Sequence, residues 1–345
     1  MVTLLLFIIL LGSIIFVHEG GHFLFAKLTG IYVYEFALGM GPKLFSFKKG
    51  ETVYSLRAIP IGGFCQLAGE DDTEDPDVPK NRTLQGKKPW QKFLVMFFGA
   101  GFNFISAILV LFFIGLIFGS TSLDPILSNV TEDSPAYEAG MRKGDEILEI
   151  NGHDIWTIDD ISLYLAIANP EEENTFEVKK ENGDVETYKV KPEKETVDGT
   201  ERYLYGIEMK GEEQHGFGSA LEYMVVKTGS LFKQMAVTLV NLFTGGIALN
   251  QLSGPVGIYE VVGAQASGGI ASILYLFSFL SINVGFINLL PLPAFDGGHI
   301  LFIIIEKIKG SPVKPEIEAK FHAAGLFLLM LLMLYVTFYD ILRLF

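Results

Sequence analysis

His18-Glu19-Gly20-Gly21-His22 places two imidazoles four positions apart, with a carboxylate beside the first. At 3.6 residues per turn an i, i+4 pair shares one helical face, so both rings can reach one zinc ion at about 2.0 to 2.1 Å. In an H-E-x-x-H arrangement Glu19 would take a proton from a water that zinc has acidified to a pKa of about 7, then deliver it to a leaving amine. The five residues lie in an apolar run, where such groups cost on the order of several kcal/mol unless paired or ligated. That cost argues for a metal site over a chance match. Two histidines leave a catalytic zinc one protein ligand short. The candidate is Asp296, in Asn288-Leu-Leu-Pro291-Leu-Pro293-Ala-Phe295-Asp296-Gly297-Gly298-His299. Its prolines and glycine pair interrupt a helix where a carboxylate must turn inward. His299, further towards the next loop, is the alternative ligand.

These residues must be positioned by membrane spans. Half of the 345 residues are apolar, the mean hydropathy is +0.37, and a bilayer needs about 20 apolar residues per crossing. Four stretches qualify, at 1–28, 93–119, 270–299 and 321–345. The first lacks the basic start and small-x-small site of a cleaved signal peptide. Ten Lys and Arg lie between the first two spans and four more in 300–320, so both loops are expected in the cytosol. Both termini and residues 121–213 are then expected outside. His18, His22 and Asp296 all fall towards the cytosolic side, at one depth.

The net charge of −14 is confined. Residues 121–213 carry 24 acidic and 9 basic side chains, leaving 16 and 17 elsewhere. Acidity of this kind excludes a nucleic-acid binder, and a single cysteine excludes a disulfide scaffold. Cys65 reads as a small apolar residue, and His153, His215 and His322 as surface or interface residues. Residues 29–70 read as a hairpin sheet of short strands with turns at Gly39-Met-Gly41-Pro42 and Lys49-Gly50. Residues 71–92 read as a mobile cytosolic linker. Within 121–213, Asn182-Gly183 signals a hairpin. Within 217–266, the stretch from Gly218 to Gly246, with only Lys227 and Lys233 as cations, reads as an amphipathic helix in or near the outer interface, followed by the Ser253-Gly254-Pro255-Val256-Gly257-Ile258 element.

Together these features resemble the site-2 protease family of intramembrane zinc metalloproteases (peptidase M50), and most closely its bacterial RseP-like branch. The resemblance covers nearly the whole chain and rests on H-E-x-x-H in the first span and N-x-x-P-x-x-x-x-D-G in the third. Phe295 stands where the family usually has Leu. It implies a polytopic α-helical protein of the bacterial cytoplasmic membrane, with four transmembrane helices, a membrane-associated β-hairpin sheet and an inserted extracytoplasmic PDZ (α+β) domain at 121–213. It implies one Zn2+ held by His18, His22 and Asp296, with Glu19 as base and Asn288 and Pro291 supporting substrate. The Ser134-Pro-Ala to Asn151-Gly152 run looks like a PDZ domain, whose groove would hold a peptide C-terminus near Tyr205-Gly206-Ile207 or whose bulk would act as a gate. Substrates would be single-pass membrane proteins, such as an anti-sigma factor or remnant signal peptides. Two rival classes are a PDZ-containing scaffold with a structural metal and a metal transporter. Normal function after Glu19→Gln would favour the scaffold, and inhibitor-insensitive zinc flux the transporter.

Overall fold

A computed structural model describes residues 1–70, 75–197, 200–311 and 313–343 of the chain. In order run α1 (Val2–Thr29), β1 (Val33–Lys49), β2 (Thr52–Leu67), α2 (Pro89–Phe118), β3 (Ser120–Thr121), β4 (Asn129–Val130), α3 (Pro135–Ala139), β5 (Glu146–Ile150), β6 (His153–Asp154), α4 (Ile158–Ile167) and β7 (Asn174–Lys179). Then follow β8 (Val185–Val190), β9 (Glu193–Val197), β10 (Thr200–Leu204), β11 (Ile207–Glu208), β12 (Glu213–Gln214), α5 (Phe217–Thr244), α6 (Pro255–Ala266), α7 (Gly269–Leu289), α8 (Asp296–Lys309) and α9 (Pro315–Leu342). The chain divides into two units, residues 1–110 with 249–345, and residues 111–248.

Within the first unit, α1, α7 and α9 are mostly apolar, α1 carrying His18, Glu19 and His22 within its run. Among the described residues, four helices are long and apolar enough to cross a membrane, at Val2–Thr29, Pro89–Phe118, Gly269–Leu289 and Glu316–Leu342. A helix satisfies its own backbone, which lipid requires. The first ends where Gly30 turns left-handed (φ 72°) and the Ile31 amide bonds back to the Ala26 carbonyl, closing the helix before the sheet. Residues Glu35 to Leu38 of β1 are paired both with Val53 to Leu56 and with Gln66 to Gly63 of β2, through several register shifts. Gly39, Gly41 and Gly50, where turns are expected, have positive φ, as does Gly62 in β2, so the short expected strands are segments of two long, bent ones.

Two expectations are corrected here. Residues 300–320 are not a loop: α8 continues to Lys309, because Ile300 and Ile303 pack against Val95 and Met96. The 71–92 linker is not loose, although 71–74 lie outside the described residues. Val78 and Leu84 are buried, and both Glu51 carboxylate oxygens accept from Arg82. Within 217–266 the expected amphipathic helix is α5, which ends where Gly245 is left-handed, and a separate helix, α6, starts at Pro255. The Ser253-Gly254-Pro255 element is the capped start of α6. Asp340 of α9, 2% exposed, accepts from the Gly254 and Gly257 amides, which orients a carboxylate at a helix N-terminus.

The second unit has a sheet in the order β6-β5-β7-β8 and three two-stranded ladders, β4 with β11, β3 with β12, and β9 with β10. Its core contains Met141, Ile147, Ile150, Ile161 and Phe176. The Asn182-Gly183 hairpin joins β7 to β8 as expected. The β9–β10 hairpin was not legible, because its strands alternate charges rather than apolar residues; residues 198–199 lie outside the description. The two cations of α5 do not face water: Lys227 bonds Asp159 at 2.6 Å and Lys233 bonds Asp160 at 3.0 Å, both on α4.

Glu35 ties the bent strands together. It is 8% exposed and paired with Lys43 and Arg57. Burial opposes its ionisation, but hydrogen bonds from Lys43, Ser55 and Arg57 outweigh this and bring its pKa down from 4.5 to about 2. A lowered carboxylate pKa gives stability that is complete above the unfolded value and is lost as pH falls through the folded one, on the order of 3 kcal/mol for this shift. Amide exchange across Val33–Leu67 should therefore accelerate between pH 4.5 and 2 beyond the intrinsic rate. Glu35→Gln should exchange fast already at pH 7 and show no acid step.

Candidate metal centre

The i, i+4 spacing on α1 brings the His18 and His22 Nε2 atoms within 3.3 Å of each other. Asp296 arrives from the first residue of α8, and its Oδ2 lies 3.3 Å from each Nε2. Zinc bonds of about 2.0 Å directed tetrahedrally separate ligand atoms by about 3.3 Å, so the three atoms have the spacing of one face of a zinc tetrahedron. Their protonation fits as well. The His22 Nδ1 is 2.9 Å from the Val95 carbonyl, an acceptor only, so the proton sits on Nδ1 and Nε2 offers a lone pair. Asp296 Oδ2 is buried without a hydrogen-bond partner. Three lone-pair atoms facing one another are mutually repulsive, and a shared cation removes the repulsion. His18, His22 and Asp296 could thus hold the ion.

Neighbouring backbones set this geometry. A Cβ on Gly21 would fall 1.9 Å from the Phe98 carbonyl oxygen, and one on Gly99 would fall 2.2 Å from His22 Nε2. Both glycines are therefore demanded by the approach of α1 to α2. After α7 ends, Leu290 to Phe295 make a turn with Ala294 at φ 70°. A Cβ on Gly297 would meet the Leu290 carbonyl oxygen at 2.1 Å, so the first turn of α8 lies on the end of α7 and directs Asp296 inward.

A cavity of about 610 Å3 opens on these residues and is also lined by Glu19, Cys65, Gln66, Asn288 and His299. The end of β2 lies against the reactive edge of α1, where a Cβ on Gly63 would fall 3.4 Å from Glu19 Cγ. Burial pushes the Cys65 thiol up, and Cys65 is not among the three clustered donors. Asn288 donates to the Val284 carbonyl at 2.9 Å and keeps a second N–H and its oxygen for another partner. Pro291 is exposed and does not line the cavity. His299 does, but its Nδ1 is 3.0 Å from Glu318 Oε1, and it is not among the three clustered donors. Tyr205, Gly206 and Ile207 belong to the other unit. There Tyr205 is core, its hydroxyl accepts from Asn174, and Ile207 pairs with Val130.

Sequence reasoning overlooked Asn103 on α2. It is fully buried, its Nδ2 lies 3.3 Å from His18 Nδ1, and its Oδ1 has no partner. A metal at His18 Nε2 requires the proton on Nδ1, and turning the carboxamide over gives that N–H the orphaned oxygen as acceptor. A polar residue in the apolar span Pro89–Phe118 was the available signal. Nothing in the sequence marks the Val95 carbonyl.

The class defined by these features is a membrane-embedded metalloprotease. The profile of Peptidase family M50 matches residues 6–332. The Regulator of sigma-W protease RasP of Bacillus subtilis is 35% identical over 99% of both chains, and the Zinc metalloprotease RasP of Bacillus licheniformis 33% over 99% of both. A putative zinc metalloprotease of Clostridium perfringens is 40% identical over 96% of both. This chain belongs to peptidase family M50. It is a zinc metalloprotease, so neither the scaffold nor the transporter reading describes it.

Outer partners of metal-bound histidines are worth 10- to 100-fold in affinity or activity. Asn103→Ala should therefore weaken zinc retention about tenfold or more in chelator competition, and Asn103→Asp, which keeps the acceptor oxygen, should retain zinc. Gly99→Ala should lose zinc outright, because its methyl group would occupy the position of His22 Nε2. Equal retention in all three would contradict the arrangement.

Proposed function

We propose that this protease cleaves a peptide bond within or near the transmembrane segment of single-pass membrane proteins. One observation carries the reading: His18 and His22 lie within a helix able to cross a bilayer, and Asn103 beside them lies within a second. Zinc held by His18, His22 and Asp296 supplies the Lewis acidity that activates water and polarises the scissile carbonyl.

Glu19 is the base. It lines the cavity beside the three donors, takes the proton of the attacking water and delivers it to the departing amine. A transmembrane substrate must first unwind, and each freed backbone group in lipid costs several kcal/mol until it is repaired. The segment Phe64 to Leu67 of β2 lines the same cavity and can pair with an extended substrate by strand addition. Asn288 offers its remaining amide groups, and Pro291 acts by breaking α7 rather than by contact.

Residues 121–213 act as a PDZ domain outside the membrane, either reading a peptide C-terminus near Tyr205-Gly206-Ile207 or excluding substrates that are still bulky. Support comes from α5, whose Leu221, Val225, Val240 and Phe243 are exposed while its lysines bind α4, as expected of a helix lying in the outer interface. The distribution of Lys and Arg places both termini outside and the zinc near the cytosol. The likeness to a regulator of sigma-W protease favours a membrane-bound anti-sigma factor as client, with remnant signal peptides as a second class.

The test compares zinc content and cleavage of a tagged single-pass reporter in liposomes. Glu19→Gln should keep one zinc per chain and lose at least 1000-fold in cleavage rate, by removing general base catalysis and a charge at the reacting atoms. Asp296→Ala should lose both zinc and cleavage. Cleavage by zinc-loaded Glu19→Gln at near-native rate would overturn the mechanism.

A further inference from the structure

Outside the donor set, α9 presents Glu318, His322 and Gly325 to the turn that delivers Asp296. Spacings of four and three put them on one helical face. His322 Nδ1 lies 3.2 Å from the Ala294 amide nitrogen, and the amide N–H is the donor. Ala294 has φ 70°, a left-handed conformation that residues with a Cβ rarely adopt unless the surroundings impose it. The ring that imposes it is itself held. It stacks on His299 at 3.9 Å with the planes 14° apart, and His299 is bonded by Glu318 of the same helix at 3.0 Å. A Cβ on Gly325 would fall 2.2 Å from Pro293, and one on Gly298 would meet the Leu292 carbonyl oxygen at 2.5 Å. The turn is thus seated between α8 and α9.

We infer that His322 is a positioning residue, which holds the left-handed turn at Ala294 through its Nδ1 and thereby aims Asp296 at the metal. This rests on Asp296 being a zinc ligand. His322 touches neither the donor atoms nor the 610 Å3 cavity, so its action passes through the backbone. Without the acceptor, the Ala294 N–H loses its partner and φ relaxes towards negative values, rotating the chain two residues before the carboxylate.

His299, Glu318 and His322 also cluster closely enough to suggest a second cation site. The hydrogen bonding speaks against it. A neutral His322 that accepts an N–H at Nδ1 carries its proton on Nε2, the buried atom without a partner, and so offers a metal no lone pair there. Ligation would require giving up the bond to Ala294.

Two amide substitutions separate the roles of the ring nitrogens, since the Asn oxygen falls near the position of Nδ1 and the Gln oxygen near that of Nε2. In the full chain in detergent, His322→Asn should retain zinc within about threefold of native in chelator competition. His322→Gln should lose about tenfold and, with zinc saturating, show lower kcat at unchanged KM. Thermal midpoints of the two variants should agree. Equal retention by both, equal loss by both, or a reversed order would overturn the inference, as would a midpoint drop confined to His322→Gln. A second zinc per native chain that His322→Gln abolishes would establish the cation site instead. Zinc retention in Asp296→Ala would remove the underlying ligand assignment, whereas zinc loss there with retention in His322→Gln would remove only the role of His322.

Discussion

Two imidazole nitrogens and a carboxylate oxygen, each 3.3 Å from the other two, form a constellation that would fly apart without either a cation or a rigid frame. The first unit supplies the frame. The histidines need only one helix, but Asp296 lies 274 residues after His22 in the chain, and its arrival depends on where α7 stops and α8 begins. Much of the packing around the site serves to hold that long-range convergence within a few tenths of an ångström.

The helix α2 contributes no metal donor, yet it governs the site. Its backbone touches α1 at Gly21 and Gly99, its Val95 carbonyl fixes the tautomer of His22, and its Asn103 faces the other ring nitrogen of His18. The geometry of the donor cluster and the helix packing are therefore one arrangement: the same close approach that brings the two backbones together brings outer partners to both histidines. The glycines within and opposite the H-E-x-x-H motif follow from this contact. On the other side the bent hairpin, locked by Glu35, brings Gly63 against Glu19, so Glu19 lies beside the sheet while His18, His22 and Asp296 are set by the helices.

Legibility from sequence followed the length scale of each cause. The four spans were readable because apolarity over 20 or more residues is a local property. His18, Glu19 and His22 were readable because a helix converts spacing into direction. The choice of Asp296 over His299 was an inference about where a broken helix must turn, and the structure brings Asp296 to the histidines while His299 pairs with Glu318. Residues 300–320 and 71–92 were misjudged because their charges hid apolar positions, Ile303 and Leu84, that become core only against α2 and the sheet. The partners of Lys227 and Lys233, Asp159 and Asp160, could not be read from the sequence, because they lie on α4, far from α5 in the chain.

By itself the sequence determined the apolar span-length helices, the paired histidines with Glu19 beside them, and the confinement of acidity to one inserted segment, because each follows from composition or from spacing along a single element. Only the tertiary structure decided which carboxylate meets the histidines, which backbone and amide groups set their tautomers, and that His322 holds the turn before Asp296. Those are contacts between elements far apart in the chain. Their selection depends on helix approach distances of a few ångströms and on the direction of individual lone pairs, neither of which is written in the order of the residues.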